Sequence, residues 1–519
     1  MKIGTTHQFS ELVWFILRPQ YRHNENFIEK LLKWAERIAL PPKKLNFYVV
    51  RSPYIGFVSI SIEMEREKDF SEMIKELDEG IRAYSLVLSD ERSTFEAPWL
   101  EESDEERLKK IQRPNKRQYT EAEGGLDQKS GLVSSPLMNR RKESSFIHAN
   151  SSIPTLRTKR YVANKVAQGT KLPASYYDLK ALSQPPGVKI SDLAGRFWNF
   201  KNPGQNTVIY MLDTGYDLQH PELENIKVQD WLDPYVFPWD EQNDINRLYP
   251  YHGMHGTSVL SKCAGRTVGV SQAAAYVLVR YIDGRVRGNY DTFADALVQI
   301  YDHIRSRNSD KKCVLNIAAR FPVYIGTTKT QFEAQRRLHM EDIFIKLAGL
   351  PNLIIVTGAG NAFMYERNSE SYPSVFADHF FIGQKMVVVA GYHPWTGHEV
   401  FPGVKETKVW APAARVSTAC WYLNGSPTEN KYKVAPTDFD KKRQICYKEG
   451  ISYGIPLVSG LLANWLSSGI DTDLVINYMY RLAYPRADNG PAVLYNGIKI
   501  QDWPREFWPN WYKKNANRI

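Results

Sequence analysis

Residues 450–465 read Gly450-Ile451-Ser452-Tyr453-Gly454-Ile455-Pro456-Leu457-Val458-Ser459-Gly460-Leu461-Leu462-Ala463-Asn464-Trp465. A serine follows a glycine, a proline comes four residues later, and an apolar run carrying small residues continues. The pattern predicts a buried helix over Ser452–Ser467 with the serine in its first turn, where N–H groups have no intrahelical partner and proline is tolerated. Those unpaired N–H groups, with the positive end of the helix dipole, suit a place where an oxygen gains negative charge. A Gly-x-Ser turn ahead of a helix is also the ordinary form of a helix cap. Its meaning therefore depends on the rest of the chain.

Working back from that helix, five short runs are apolar throughout and rich in β-branched residues: Thr207–Leu212, Tyr276–Ile282, Val314–Ala318, Leu353–Val356 and Met386–Ala390. Such runs fit strands covered on both faces. Helical spacing falls between or after them at Thr292–Ile304, Phe332–Ala348 and Asp471–Leu482. Strands alternating with helices predict a three-layer α/β/α fold on a parallel sheet. Ligands of such sheets bind at the carboxyl ends of the strands. At those ends stand Asp213-Thr214-Gly215 and Thr357-Gly358-Ala359-Gly360-Asn361, and about forty residues after the first of them comes His255-Gly256-Thr257, leading into a small-residue helix over Ser258–Gly265. Acyl transfer by a serine needs a nucleophile, a base for its proton, a carboxylate to orient the base and donors for the oxyanion. Ser452, His255, Asp213 and Asn361 supply those four parts.

The order Asp, His, Asn, Ser and the wording around each residue resemble the fungal-type subtilisin-like serine endopeptidases (subtilases, peptidase family S8). The stretches Val268-Gly269-Val270, Trp410-Ala411-Pro412 and Val416-Ser417-Thr418 are similar to that family as well, and the likeness runs from about Leu182 to Asn496. The resemblance implies a serine endopeptidase on a sheet of about seven parallel strands. It implies Ser452 as nucleophile, His255 as general base, Asp213 as its partner, and an oxyanion hole made by the Asn361 amide and the Ser452 backbone N–H. It implies polypeptide substrates, a monomer, an intramolecular propeptide, an extracellular location and no required cofactor. It leaves room for structural calcium, for which no ligand set is assignable. Two stretches depart from the family pattern. Ile451 puts a β-branched side chain beside the serine, and Val314-Leu315-Asn316-Ile317-Ala318-Ala319-Arg320 replaces the strand that usually ends in Ser-Leu-Gly, bringing Arg320 and Phe321 to the cleft. These departures keep a second reading open, a pseudoprotease of the same fold that binds or inhibits.

The rest of the chain divides around this region. With 519 residues, the chain is longer than one core of usual size, and 43% hydrophobic with 13% aromatic residues is enough for a large interior. The net charge is +10, but its basic residues are interleaved with acids, which argues against a nucleic-acid surface. No apolar run reaches the roughly 20 residues that span a bilayer. Residues 1–98 predict a small α/β unit, with a helix over Phe27–Leu40, strands over Leu45–Val50 and Ile55–Ile62, and a second helix from Phe70 to Tyr84. Leu12–Leu17 is too short for the apolar core of a signal peptide. Residues 99–169 are charged and lack periodicity, as a disordered linker does, and contain Arg157-Thr158-Lys159-Arg160, a candidate processing site after Arg160. The catalytic region is expected over 170–500 and a tail over 501–519. Of four cysteines, Cys420 and Cys446 flank one loop and are the candidate disulfide pair, with buried free thiols as the other reading.

Overall fold

The computed structural model describes residues 10–17, 21–38, 47–65, 84–88, 168–171, 176–193, 195–233, 250–281, 290–319, 321–322, 331–361, 371–420 and 444–515. The N-terminal strands are β1 (Ser10–Leu17), β2 (Phe47–Ser52), β3 (Gly56–Glu65) and β4 (Tyr84–Leu88), with helix α1 (Glu25–Ile38). They form a four-stranded sheet in the order β2-β3-β1-β4. The expected strands at 45–50 and 55–62 are β2 and β3, and the Leu12–Leu17 run lies in β1, one of the two inner strands. The expected second helix lies outside the described residues except for Tyr84, which opens β4.

After a hairpin-like pair, β5 (Gln168–Lys171) with β6 (Arg196–Asn199), come β7 (Thr207–Asp213), β8 (Lys227–Leu232), β9 (Ala275–Arg280), β10 (Lys312–Ile317), the short β11 (Phe321–Pro322), β12 (Leu353–Gly358), the short β13 (Ser371–Tyr372), β14 (Met386–Tyr392), β15 (Glu399–Phe401) and β16 (Val409–Pro412). The main sheet runs β15-β14-β12-β10-β7-β9-β8, with β16 also paired to β14. Every pair in it is parallel except β14 with β15, which leaves seven mutually parallel strands. Alternation along each strand sorts the core into two layers. Ile209, Met211, Tyr276 and Leu278 face helices α3 (Pro250–Ala264), α7 (Ile455–Ser467) and α8 (Thr472–Leu482). Val208, Tyr210, Leu212 and Val277 face α4 (Tyr290–Arg307) and α5 (Gln331–Ala348). The remaining helices are the short α2 (Tyr177–Leu182), α6 (Phe380–Gly383) and α9 (Asn510–Asn515). Trp503, within the expected tail, stacks on Trp198 with ring centroids 5.1 Å apart.

Two helix starts near the site differ from the sequence reading. The helix expected to start at Ser258 begins at Pro250, so His255 lies inside it. The helix expected to start at Ser452 begins at Ile455, because a 3-10 turn, Ile451–Tyr453, comes first and Pro456 then sits in the first turn of the α-helix. Cys420 and Cys446 are joined, with Cα atoms 6.0 Å apart, while Cys263 and Cys313 are buried free thiols.

The N-terminal sheet touches α4 and α5. Ser52 Oγ donates to Asp302 Oδ1 at 2.5 Å, Arg22 pairs with Asp342 at 2.7 Å, and Ile55 joins the core layer beneath α4. Burial pushes the Asp302 carboxyl up to about 6, and the bond from Ser52 only partly opposes this. A raised carboxyl contributes stability that is full below its ordinary value of 3.8 and is lost as pH rises through about 6. The melting temperature of the full chain should therefore carry an Asp302-dependent fall over that window. Asp302→Asn, which keeps an acceptor for Ser52, should flatten it, and a variant that tracks the wild type across the window would refute this origin.

Candidate active site

Asp213 is the last residue of β7, where an all-buried strand delivers its carboxylate to the carboxyl edge of the sheet. It is 1% exposed. Its Oδ1 accepts the Thr214 N–H at 2.7 Å and lies 2.7 Å from His255 Nδ1. A protonated Nδ1 donating to that carboxylate leaves Nε2 as the basic nitrogen. The histidine reaches the strand because the next residue is glycine: a Cβ on Gly256 would run into the Gly215 carbonyl. Tyr216 and Tyr281 flank the carboxylate. Burial first, and the charge of Asp213 second, push both phenols up, so they stay neutral beside it.

Ser452 is the middle residue of the 3-10 turn, whose cap Gly450 has φ 133°, a conformation that favours glycine. The next residue, Tyr453, packs against the histidine with ring centroids 5.9 Å apart. The structure thus brings the turn to His255, although no hydrogen bond joins Ser452 to it; such bonds commonly tighten only with substrate in place. Asn361 follows β12. Its Oδ1 accepts the Ile451 N–H at 2.9 Å, which settles the orientation of the amide and turns Nδ2 away from that bond. All four residues named from the sequence are therefore gathered at one edge of the sheet. Arg320 and the side chain of Phe321 lie outside the described residues.

No family model matches the chain. A subtilisin-like protease of Coccidioides posadasii is 28% identical over 118 residues, 23% of this chain and 27% of its own length. A second from that fungus is 28% identical over 187 residues, 34% of this chain and 44% of its own. A subtilase-type proteinase of Saccharomyces cerevisiae is 21% identical over 313 residues, 58% of this chain and 54% of its own. This chain has a subtilisin-like fold. The crystal structure of a cold adapted subtilisin-like serine proteinase aligns at TM-score 0.42 and 16% identity, over 63% of this chain and 99% of that one. The matches span from about a quarter to about half of the curated relatives' length, and they support a serine protease function in general terms.

Within this subtilisin-like domain the structure adds a clamp that the sequence reading missed. The ribbon β17 (Val416–Ala419) with β18 (Ile445–Lys448) leads directly into Gly450, and the Cys420–Cys446 bridge closes its far end. Three residues on one face of α3 hold this ribbon. Ser258 Oγ donates to the Ala419 carbonyl at 2.7 Å, the Ala419 N–H donates to Ser261 Oγ at 3.0 Å, and Lys262 Nζ donates to the Ser417 carbonyl at 2.9 Å. Lys262 also pairs with Asp178 at 2.7 Å, both fully buried, and the Ser417 hydroxyl donates to the same carboxylate. Burial pulls Lys262 down, and Asp178 opposes that pull. The helix carrying His255 and the ribbon feeding Ser452 are thereby one unit. Ser258, Ser261 and Lys262, polar residues interleaved with Val259, Leu260, Cys263 and Ala264, were the signal available in the sequence. Among the described residues no group of three or more His, Cys, Asp or Glu side chains is gathered as a metal site, and no helix is long and apolar enough to cross a membrane.

Proposed function

We propose that the chain is a serine endopeptidase that cleaves polypeptides through an acyl-enzyme. Ser452 Oγ attacks the scissile carbonyl as His255 Nε2 takes its proton. Asp213 stabilises the imidazolium so formed, and the oxyanion is met by Asn361 Nδ2 and the Ser452 N–H. His255 then passes the proton to the leaving amine, and water repeats the sequence to release the acyl group. The observation that carries this reading is the buried 2.7 Å bond from His255 to Asp213, with the serine turn packed on the same imidazole ring. The reaction needs no cofactor, and calcium enters none of its steps. The N-terminal sheet, docked on α4 and α5, is assigned as the propeptide, released by cleavage after Arg160, and the mature enzyme as a monomer that acts outside the cell.

Labelling with a fluorophosphonate probe tests the reading, on the full chain and on the chain from Tyr161 so that a propeptide cannot mask the site. Labelling of the wild type that disappears in Ser452→Ala is expected. Folded protein that labels in neither form would replace the enzyme with the pseudoprotease.

A further inference from the structure

Ile451 stands beside the nucleophile where a smaller residue would leave more room, yet it is 3% exposed and seated in a fitted hole. Two residues without side chains form that hole. A Cβ on Gly358 would lie 3.1 Å from Ile451 Cγ2 and 3.4 Å from its Cγ1, and a Cβ on Gly454 would lie 3.3 Å from its Cδ1. Gly358 ends β12, and the same segment continues to Asn361. The backbone N–H of Ile451 is the group that holds the Asn361 amide oxygen, at 2.9 Å. One short segment therefore carries both the hole and the amide, and one residue supplies both the knob and the N–H that aims the amide.

We propose that Ile451 is a positioning residue: the depth to which its side chain seats over Gly358 sets the spacing between the serine turn and Asn361, and so aims Asn361 Nδ2 at the oxyanion. This rests on the protease reading above. A β-branched side chain has a stiff χ1, so a fixed side chain fixes its own backbone. Oxyanion donors act over a narrow distance range, and a misplacement of about 1 Å can cost on the order of 10²-fold in rate. One added carbon at 358 must move its neighbours by a few tenths of an ångström. That is enough for a loss of about tenfold.

The test is kcat and KM on a peptide amide substrate, with melting temperatures, for variants at these positions. Gly358→Ala is expected to lower kcat about tenfold with KM within about twofold. Adding Ile451→Ala should restore most of the loss, because the knob is removed as the hole is filled. Adding Ile455→Val should not, although Ile455 Cδ1, at 2.9 Å, is the nearest atom to the new Cβ. In an Asn361→Ala background, where the amide is already gone, Gly358→Ala should change kcat by less than about twofold. Recovery through Ile455→Val instead of Ile451→Ala, or an undiminished loss in the Asn361→Ala background, would reduce Ile451 to ordinary packing. Should Gly358→Ala fail to fold, Ile451→Ala in the two backgrounds decides the same question. A wild type that neither labels nor cleaves overturns the protease reading and, with it, the positioning role given to Ile451. Additive melting shifts in the Gly358/Ile451 cycle overturn the fit by itself.

Discussion

Replacing Asp213 with alanine should lower kcat by roughly 10⁴ while KM stays near its wild-type value. In the proposed reaction the carboxylate has two tasks: it holds the imidazole with Nδ1 protonated, and it offsets the charge that ring acquires when it takes the serine proton. Substrate binding uses neither. Asparagine separates the two tasks. Asp213 Oδ1 is shared between the Thr214 N–H and His255, each at 2.7 Å. An asparagine that turned its NH₂ toward the histidine would set that group against the Thr214 N–H, so its oxygen should stay in place and the tautomer should survive. Asp213→Asn is therefore expected to retain more activity than Asp213→Ala. Equal losses would mean that the amide turns over, and a loss below about 10² for alanine would remove Asp213 from the reaction.

Lys262→Met should destabilise the protein by about 3–5 kcal/mol, because it leaves the Asp178 carboxylate buried without its ion-pair partner, with the Ser417 hydroxyl still donating to it. Taking both charges away, as in Lys262→Met with Asp178→Leu, should recover most of that, since a well-packed apolar pair of similar volume is often neutral or better. Denaturant midpoints of the two singles and the double give the comparison. A Lys262→Met variant within about 1 kcal/mol of the wild type would show that water or another group reaches Asp178. Beyond stability, the pair ties the segment around Asp178 and the ribbon at Ser417 to the helix of His255, so the double variant also shows whether a charged tie is needed or only a filled one.

Much of this was legible in the residues. The strand ending at Asp213 was readable because each of its residues is buried and most are β-branched or large and apolar, which gives a run with no polar interruption. The edge strand Lys227–Leu232 was not, because it alternates exposed and half-buried positions and carries Lys, Gln and Asp. The ribbon was missed for a different reason: each of its strands has four residues, and its partners lie on either side of a long intervening stretch. Around Ser452 the type of element was right and its start was wrong. Pro456 held the information, since a proline in the first turn of an α-helix puts the helix start at Ile455 and leaves the serine in a separate turn. The role of Ile451 was hidden because a side chain's bulk is visible in sequence, whereas the space that receives it, over Gly358, comes from a segment far away in the chain.

The order of strands across the main sheet also bears on when the site comes into being. β7, the earliest of the seven parallel strands in the chain, lies inside the sheet between β10 and β9, and the turn with Ser452 comes after all seven. Asp213 is in place only after later strands have closed on both sides of its own, and pairing of this kind, between distant segments, is slow. A chain still emerging from the ribosome therefore holds Asp213 and His255 before Ser452 has been added, so in the proposed reaction a nascent copy lacks its nucleophile and cannot cut itself or its neighbours.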